Sequence, residues 1–188
     1  MNQRLALHVL ASGSRGNAAV VEDTATGKGV LVDCGICKRD FFARCDEAGF
    51  DPANLEAVLI THDHTDHTKG LGVVLRGLAK LGIEPAVFAD DAVRAASKEI
   101  IVLEGACDLR AFSSGDALSL AGMQVHAFRT SHDAASSCGF RVEADGDAVG
   151  FMTDTGIVTG EADEALRDVR ILALESNHDC LLYTSDAA

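Results

Sequence analysis

The stretch Thr61-His62-Asp63-His64-Thr65-Asp66-His67 places three of the chain's seven histidines within six residues. Its spacing is H-x-H-x-D-H. Upstream, Ala57–Thr61 is a short apolar run that predicts a strand. Downstream, Lys69–Leu81 carries Leu71, Val74, Leu75 and Leu78 at intervals of three and four, which predicts a helix ended by Gly82. The histidines therefore fall on a loop at the C-terminal end of a strand, where side chains can converge while the sheet holds the backbone. His62 and His64, two apart in an extended segment, can point the same way. Asp66 and His67 follow a bend and can face a second ion. Imidazole together with carboxylate suits Zn²⁺, Mn²⁺ or iron. A solvated polar loop with coincidental histidines accounts for neither the full spacing nor its strand–loop–helix context.

Outward from this loop, strands are predicted at Leu5–Leu10, Ala18–Glu22 and Gly29–Asp33, the last two pairing across Thr26-Gly27-Lys28. Further strands are predicted at Ala86–Ala89, Leu109–Phe112, Gln124–Arg129, Cys138–Glu143, Ala148–Thr153 and Arg170–Leu174. Helices are predicted at Lys38–Ala48, stopped by Gly49, at Asp91–Val102, and at Glu161–Arg167 with Thr159 as N-cap. The pattern is that of an α/β domain, rich in sheet and with outer helices.

Composition agrees. With 188 residues, 47% apolar and 24% charged, and with two prolines, the chain reads as one globular domain and not as a disordered or collagen-like one. Its apolar runs are too short for a transmembrane helix, and Met1-Asn2-Gln3-Arg4 leads into a strand rather than a signal peptide, so no membrane association and a cytoplasmic location are expected. Six irregularly spaced cysteines read as reduced thiols. Cys34-Gly35-Ile36-Cys37 is a lone C-x-x-C, expected to be two small buried residues at a strand-to-helix junction. His8 and His126 lie within strand patterns and are expected to pack on sheet faces. The net charge of −13 argues against a nonspecific basic nucleic-acid binder.

The H-x-H-x-D-H motif resembles the signature of the metallo-β-lactamase superfamily, and other segments extend the likeness. Asp33 in Leu31-Val32-Asp33-Cys34-Gly35 matches the superfamily's early aspartate, which braces the metal loop without binding metal. His132 in Thr130-Ser131-His132-Asp133 matches the third ligand histidine, and Asp154 in Met152-Thr153-Asp154-Thr155-Gly156 the aspartate bridging two metals. The resemblance implies an αββα four-layer sandwich. It also implies two divalent metal ions, Zn or Mn: one at His62, His64 and His132, the other at Asp66 and His67, with Asp154 shared.

Three more segments narrow the branch. These are Ser12-Gly13-Ser14-Arg15-Gly16-Asn17 after the first strand, His67-Thr68-Lys69-Gly70-Leu71-Gly72 after the metal loop, and Glu175-Ser176-Asn177-His178-Asp179 after the last strand. Together they look like the YycJ/WalJ-type subgroup of metal-dependent exonucleases. The likeness implies hydrolysis of DNA, 5′ to 3′, through a metal-activated hydroxide. Asp66 or Asp154 then accepts the proton, and His178 orients substrate or shuttles a proton. The Ser12–Asn17 loop either presents backbone N–H groups and hydroxyls to phosphate, with Ser14 and Asn17 as candidate contacts, or is a tight strand connection. Asn177 is a further candidate for substrate binding.

Cys180–Ala188 breaks the pattern and reads as a translated transposon-type sequencing adapter. The expectation is an incomplete hydrolase domain over residues 1–179, its C-terminal part missing, followed by a non-native tail over 180–188. The resemblance implies that the missing part carries the last histidine of the second metal site, so weak second-metal affinity and low activity are expected. Competing readings are a metallo-hydrolase of a small phosphodiester or thioester, which the acidic charge favours, and a noncatalytic metal-binding fragment. Asp33, Asp63, Asp66, Asp133 and Asp154 supply part of the acidity around the expected metal positions, where cations would offset their charge.

Overall fold

A computed structural model describes residues 3–174. Two sheets pack face to face. The first has the order β1-β2-β3-β4-β5-β6, formed by β1 (Leu5–Ala11), β2 (Ala18–Asp23), β3 (Lys28–Val32), β4 (Leu55–Leu59), β5 (Ala86–Asp90) and β6 (Leu109–Phe112). β1, β2 and β3 pair antiparallel, and β3 to β6 run parallel. The second sheet has the order β11-β10-β9-β8-β7, formed by β7 (Ala117–Leu120), β8 (Met123–Arg129), β9 (Cys138–Ala144), β10 (Asp147–Met152) and β11 (Ile171–Leu174).

The side-chain alternation of the strands decides the layering. Val20, Leu31, Val58, Ile60, Val87 and Ala89 face a helical layer made by α1 (Lys38–Ala48), α3 (Leu71–Ala79), α4 (Asp91–Ala96) and α5 (Lys98–Ile101). Their neighbours Val21, Val30, Val32, Ala57, Leu59 and Phe88 face the other sheet, where they meet Met123, Val125, Phe140, Val142 and Val149. Because β2 to β5 are covered on both faces they read as continuous apolar runs. On the far side of the second sheet, α6 (Gly160–Ala165) packs against Phe128 and Met152. The result is the expected four-layer αββα order.

Several boundaries differ from the sequence reading for identifiable reasons. β4 ends at Leu59 and not Thr61, because the Thr61 N–H is taken by the Asp33 carboxylate at 2.9 Å instead of a neighbouring strand. The helix expected over Lys69–Leu81 is the shorter α3, and a separate four-residue helix, α2 (Thr65–Thr68), precedes it. They part at Gly70, whose N–H donates to the Cys34 carbonyl at 2.8 Å. The helix over Asp91–Val102 is two, divided at Ser97, which is extended (φ −79°, ψ 116°). β7 was not foreseen. It is a four-residue strand joined to β8 by Ala121-Gly122, both at positive φ as a tight hairpin turn requires. The C-x-x-C is half as expected, since Cys34 is buried but Cys37 is exposed at the head of α1. Thr159 caps α6 as expected, accepting from Ala162 N–H. His8 and His126 lie on sheet faces beside Glu22 and Glu143.

At the end of the sandwich that holds the Lys28–Asp23 turn, Arg170 clamps the two sheets together. It donates to both oxygens of Asp147, at 2.7 and 2.6 Å, and to the Leu5 carbonyl, while the Leu5 N–H donates to Asp147. Asp147 is 3% exposed, and the Arg170 guanidinium holds its pKa down at about 2. A carboxyl with a lowered folded pKa contributes stability above its unfolded pKa of about 4 and loses it as pH falls towards the folded value. At 1.4 kcal/mol per pKa unit, this contribution is about 2–3 kcal/mol at neutral pH. Asp147→Asn should therefore lower urea stability by roughly that amount at pH 7, and the gap to the parent should close between pH 4 and pH 2. A gap constant across that range would refute the assignment.

Candidate metal centre

The site lies at the opposite end, where β1, β3, β4, β8 and β10 finish. Asp33 follows β3 and Asp154 follows β10, both with left-handed backbone (φ 60° and 50°). This conformation costs most residues free energy but is tolerated by aspartate, and it turns both carboxylates into the space between the sheets. His64 is the N-cap residue of α2, so Asp66 and His67 sit on its first turn and point back under His62. The loop 130–137 is stitched to the histidine segment. His62 bridges Ser137, Cys138 N–H donates to the Thr61 carbonyl, and Ala135 N–H donates to Asp63 at 2.9 Å. These contacts bring His132, almost seventy residues downstream, to 3.1 Å from His64 (Nε2 to Nδ1).

Two ligand groups result. The donor atoms of His62, His64 and His132 lie within 4.8 Å of one another, as do those of His62, His67 and Asp154. Asp66 stands beside the second group, its carboxylate 3.7 Å from His67 Nε2. The structure thus brings together all six ligand candidates, with His62 in reach of both groups. Asn177 and His178 lie outside the described residues, as does the segment 180–188.

Asp33, fully buried, organises the histidines. It accepts from Thr61 N–H and Thr61 Oγ1 and pairs with His67 Nδ1 at 2.8 Å. Thr61 Oγ1 donates to Asp33 and so accepts from His62 Nδ1 at 2.9 Å. Both imidazoles then carry a proton on Nδ1 and turn Nε2 into the site, where His67 Nε2 lies 3.0 Å from Asp154 Oδ2. Thr61 is the residue that sequence reasoning missed. The only signal for it was its position immediately before the first histidine.

The electrostatics fit a cation. Burial, with the neighbouring charge of His67, pushes the pKa of His62 down to about 4. Burial also opposes the charging of His67, but hydrogen bonds to Asp154 and Asp33 override it and raise its pKa to about 10. The pocket therefore favours one positive charge between its carboxylates. His62 Nε2 is buried with no hydrogen-bond partner among the described residues, an arrangement costly for a polar atom unless something else takes its lone pair. A divalent cation bound by His62, His64 and His132, or by His62, His67 and Asp154, would take it.

The Ser12–Asn17 loop reaches the same centre. Asn17 Nδ2 lies 3.2 Å from Asp66 Oδ2 and 2.9 Å from His67 Nε2. The N–H groups of Gly13, Gly16 and Asn17 all bond within the protein, to Asn17 Oδ1, Gly13 O and Asp66 O. Ser14 and Arg15 are exposed on the outer side of the loop.

A four-layer sandwich with histidines and aspartates converging at its strand ends defines a metal-binding αββα protein. The Beta-lactamase superfamily domain matches residues 28–182, and the chain belongs to that superfamily. It is 31% identical over 171 residues to Exodeoxyribonuclease YycJ of Bacillus anthracis, covering 91% of this chain and 62% of that protein. It is 30% identical over 180 residues to Exodeoxyribonuclease WalJ of Streptococcus pneumoniae, covering 94% and 64%. The chain thus spans a little over three fifths of the length of these relatives. Among solved structures, a diphosphatase from the PhnP family superposes with a TM-score of 0.69 at 20% identity, covering 90% of this chain and 73% of that one. No helix among the described residues is long and apolar enough to cross a membrane.

Proposed function

We propose that this chain is the hydrolytic part of a cytoplasmic, metal-dependent phosphodiesterase, an exonuclease acting on DNA with two divalent ions, Zn or Mn. The observation that carries the reading is the buried His62 Nε2, without a protein partner among the described residues, where the His62/His64/His132 and His62/His67/Asp154 groups meet. The resemblance to two proteins named exodeoxyribonucleases and to a diphosphatase supports phosphate-ester chemistry.

Cations at such a centre supply Lewis acidity and lower the pKa of a coordinated water. The residues do the rest. Asp33 and Thr61 hold His62 and His67 in one tautomer and orientation, so no reorganisation of the ligand shell is needed at the moment of reaction. Asp154 and Asp66, with side chains 15% and 32% exposed, are the carboxylates able to take a proton from water at the mouth of the site. Thr155 fixes the Asp154 turn from both sides, receiving Ser131 N–H and donating to the Ile157 carbonyl.

Chelator-stripped protein should leave end-labelled duplex DNA intact, and reloading with Mn²⁺ or Zn²⁺ should restore degradation. Equal cleavage by stripped and reloaded protein would overturn the proposal. The net charge of −13 favours a second reading, hydrolysis of a small phosphodiester or thioester. Bis-p-nitrophenyl phosphate and a glutathione thioester in parallel reactions separate the two, since turnover of either with DNA untouched selects the second.

A further inference from the structure

Asn17 is held on every side. Its backbone N–H donates to the Asp66 carbonyl and its carbonyl accepts from Gly35 N–H, both at 2.8 Å. Gly13 N–H donates to its side-chain oxygen at 2.9 Å. An N–H can meet only the oxygen of a carboxamide, so this bond sets the amide's orientation and turns Nδ2 into the metal centre. Nδ2 donates there to Asp66 Oδ2 at 3.2 Å and lies 2.9 Å from His67 Nε2. The Asp66 carboxylate makes no other side-chain hydrogen bond among the described residues and is the most exposed of the acidic ligand candidates, so Asn17 is what orders it.

We propose that Asn17 is a positioning residue that sets the cation affinity of the Asp66/His67/Asp154 half of the centre, and that the Ser12–Asn17 loop is built to hold it there. This rests on the reading of the centre as a two-ion site. A cation held by His67 Nε2 would replace the proton that this atom shares with Asp154 and leave the Asn17–Asp66 bond in place. One ligand is then pre-oriented before the ion arrives, and the rotamer entropy lost on binding falls. Among the described residues no hydrogen bond joins Asn17 to His62, His64 or His132, so other residues orient the His62/His64/His132 group. The loop's inward-facing N–H groups follow from the same requirement, since each is spent on fixing Asn17 or the turn that carries it.

The test is calorimetric titration of the metal-stripped full chain with zinc chloride, comparing the parent with Asn17→Ala and Asn17→Ser. The expected result is an unchanged first binding step and a second step weakened 10- to 100-fold, the usual effect of losing a residue that orients a ligand. Urea unfolding of the stripped variants and the KM for bis-p-nitrophenyl phosphate accompany the titration. Equal weakening of both steps, in step with a loss of stability, would make Asn17 merely structural and overturn the proposal. Two unchanged steps with a raised KM would make it a substrate contact and do the same. If the parent binds fewer than two ions, the two-ion reading fails and this inference falls with it. If the parent binds two and the variants are unaffected, only this inference fails.

Discussion

Asp33→Ala should remove the metal centre without removing a ligand. The carboxylate is fully buried and accepts from a backbone N–H, a hydroxyl and an imidazole. Alanine leaves those donors inside the protein with nothing to meet them, and it breaks the buried pair with His67. Losing one partner of such a pair costs about 3–5 kcal/mol. The left-handed backbone at this position adds roughly 1 kcal/mol of strain for alanine. Without the carboxylate, Thr61 is free to rotate and His62 and His67 lose the bonds that select their tautomer, so cation affinity should fall by a further 10- to 100-fold. Urea unfolding of stripped protein reads the first effect and zinc titration the second. Asp33→Asn, which keeps one acceptor oxygen, should be intermediate in both. An alanine variant that bound zinc as the parent does would show that the histidines orient themselves.

Gly35→Ala should be nearly as severe for a purely steric reason. A Cβ at this position would lie 1.6 Å from the Asp66 carbonyl oxygen and 2.8 Å from the Asn17 nitrogen. Both are backbone atoms held by bonds across the same gap, so neither can swing aside. Gly35 is therefore the spacer that lets the Asn17 loop and the first turn of α2 pack on opposite sides of one strand end. Overpacking commonly costs 1–3 kcal/mol when side chains can adjust, and a backbone clash should exceed about 3 kcal/mol. Gly49→Ala is the control. Gly49 sits at φ 76°, and a Cβ there would meet nothing within 4 Å beyond its own chain neighbours, so alanine meets conformational strain alone and should cost about 1 kcal/mol. Equal costs for the two would remove the steric argument. The variant should also bind one cation less tightly, because Asp66 is carried by the backbone that must move.

Local signals were read well where one element explains itself. α1 begins and ends where its sequence says, because Gly49 supplies the left-handed residue that closes it. β2 to β5 of the first sheet are legible as apolar runs because both of their faces are covered. The errors fall where a distant residue competes for the backbone. Thr61 leaves β4 for the Asp33 carboxylate, and Gly70 leaves its helix for the Cys34 carbonyl. Neither partner is adjacent in sequence, so periodicity carries no trace of it. β7 escaped notice because four residues at a sheet edge have too short an alternation to stand out.

The sequence by itself determined which chemistry is possible here: the ligand types, their spacing along one loop, and the aspartates at two strand ends, because these depend on neighbours along the chain. Only the tertiary structure decided which of them meet. His132 reaches His64, Asp154 reaches His67, and Asn17 reaches both Asp66 and His67 because two sheets and a glycine-spaced loop abut at one end of the sandwich. Contacts between residues 49 to 87 positions apart are set by packing, and packing is a property of the folded whole.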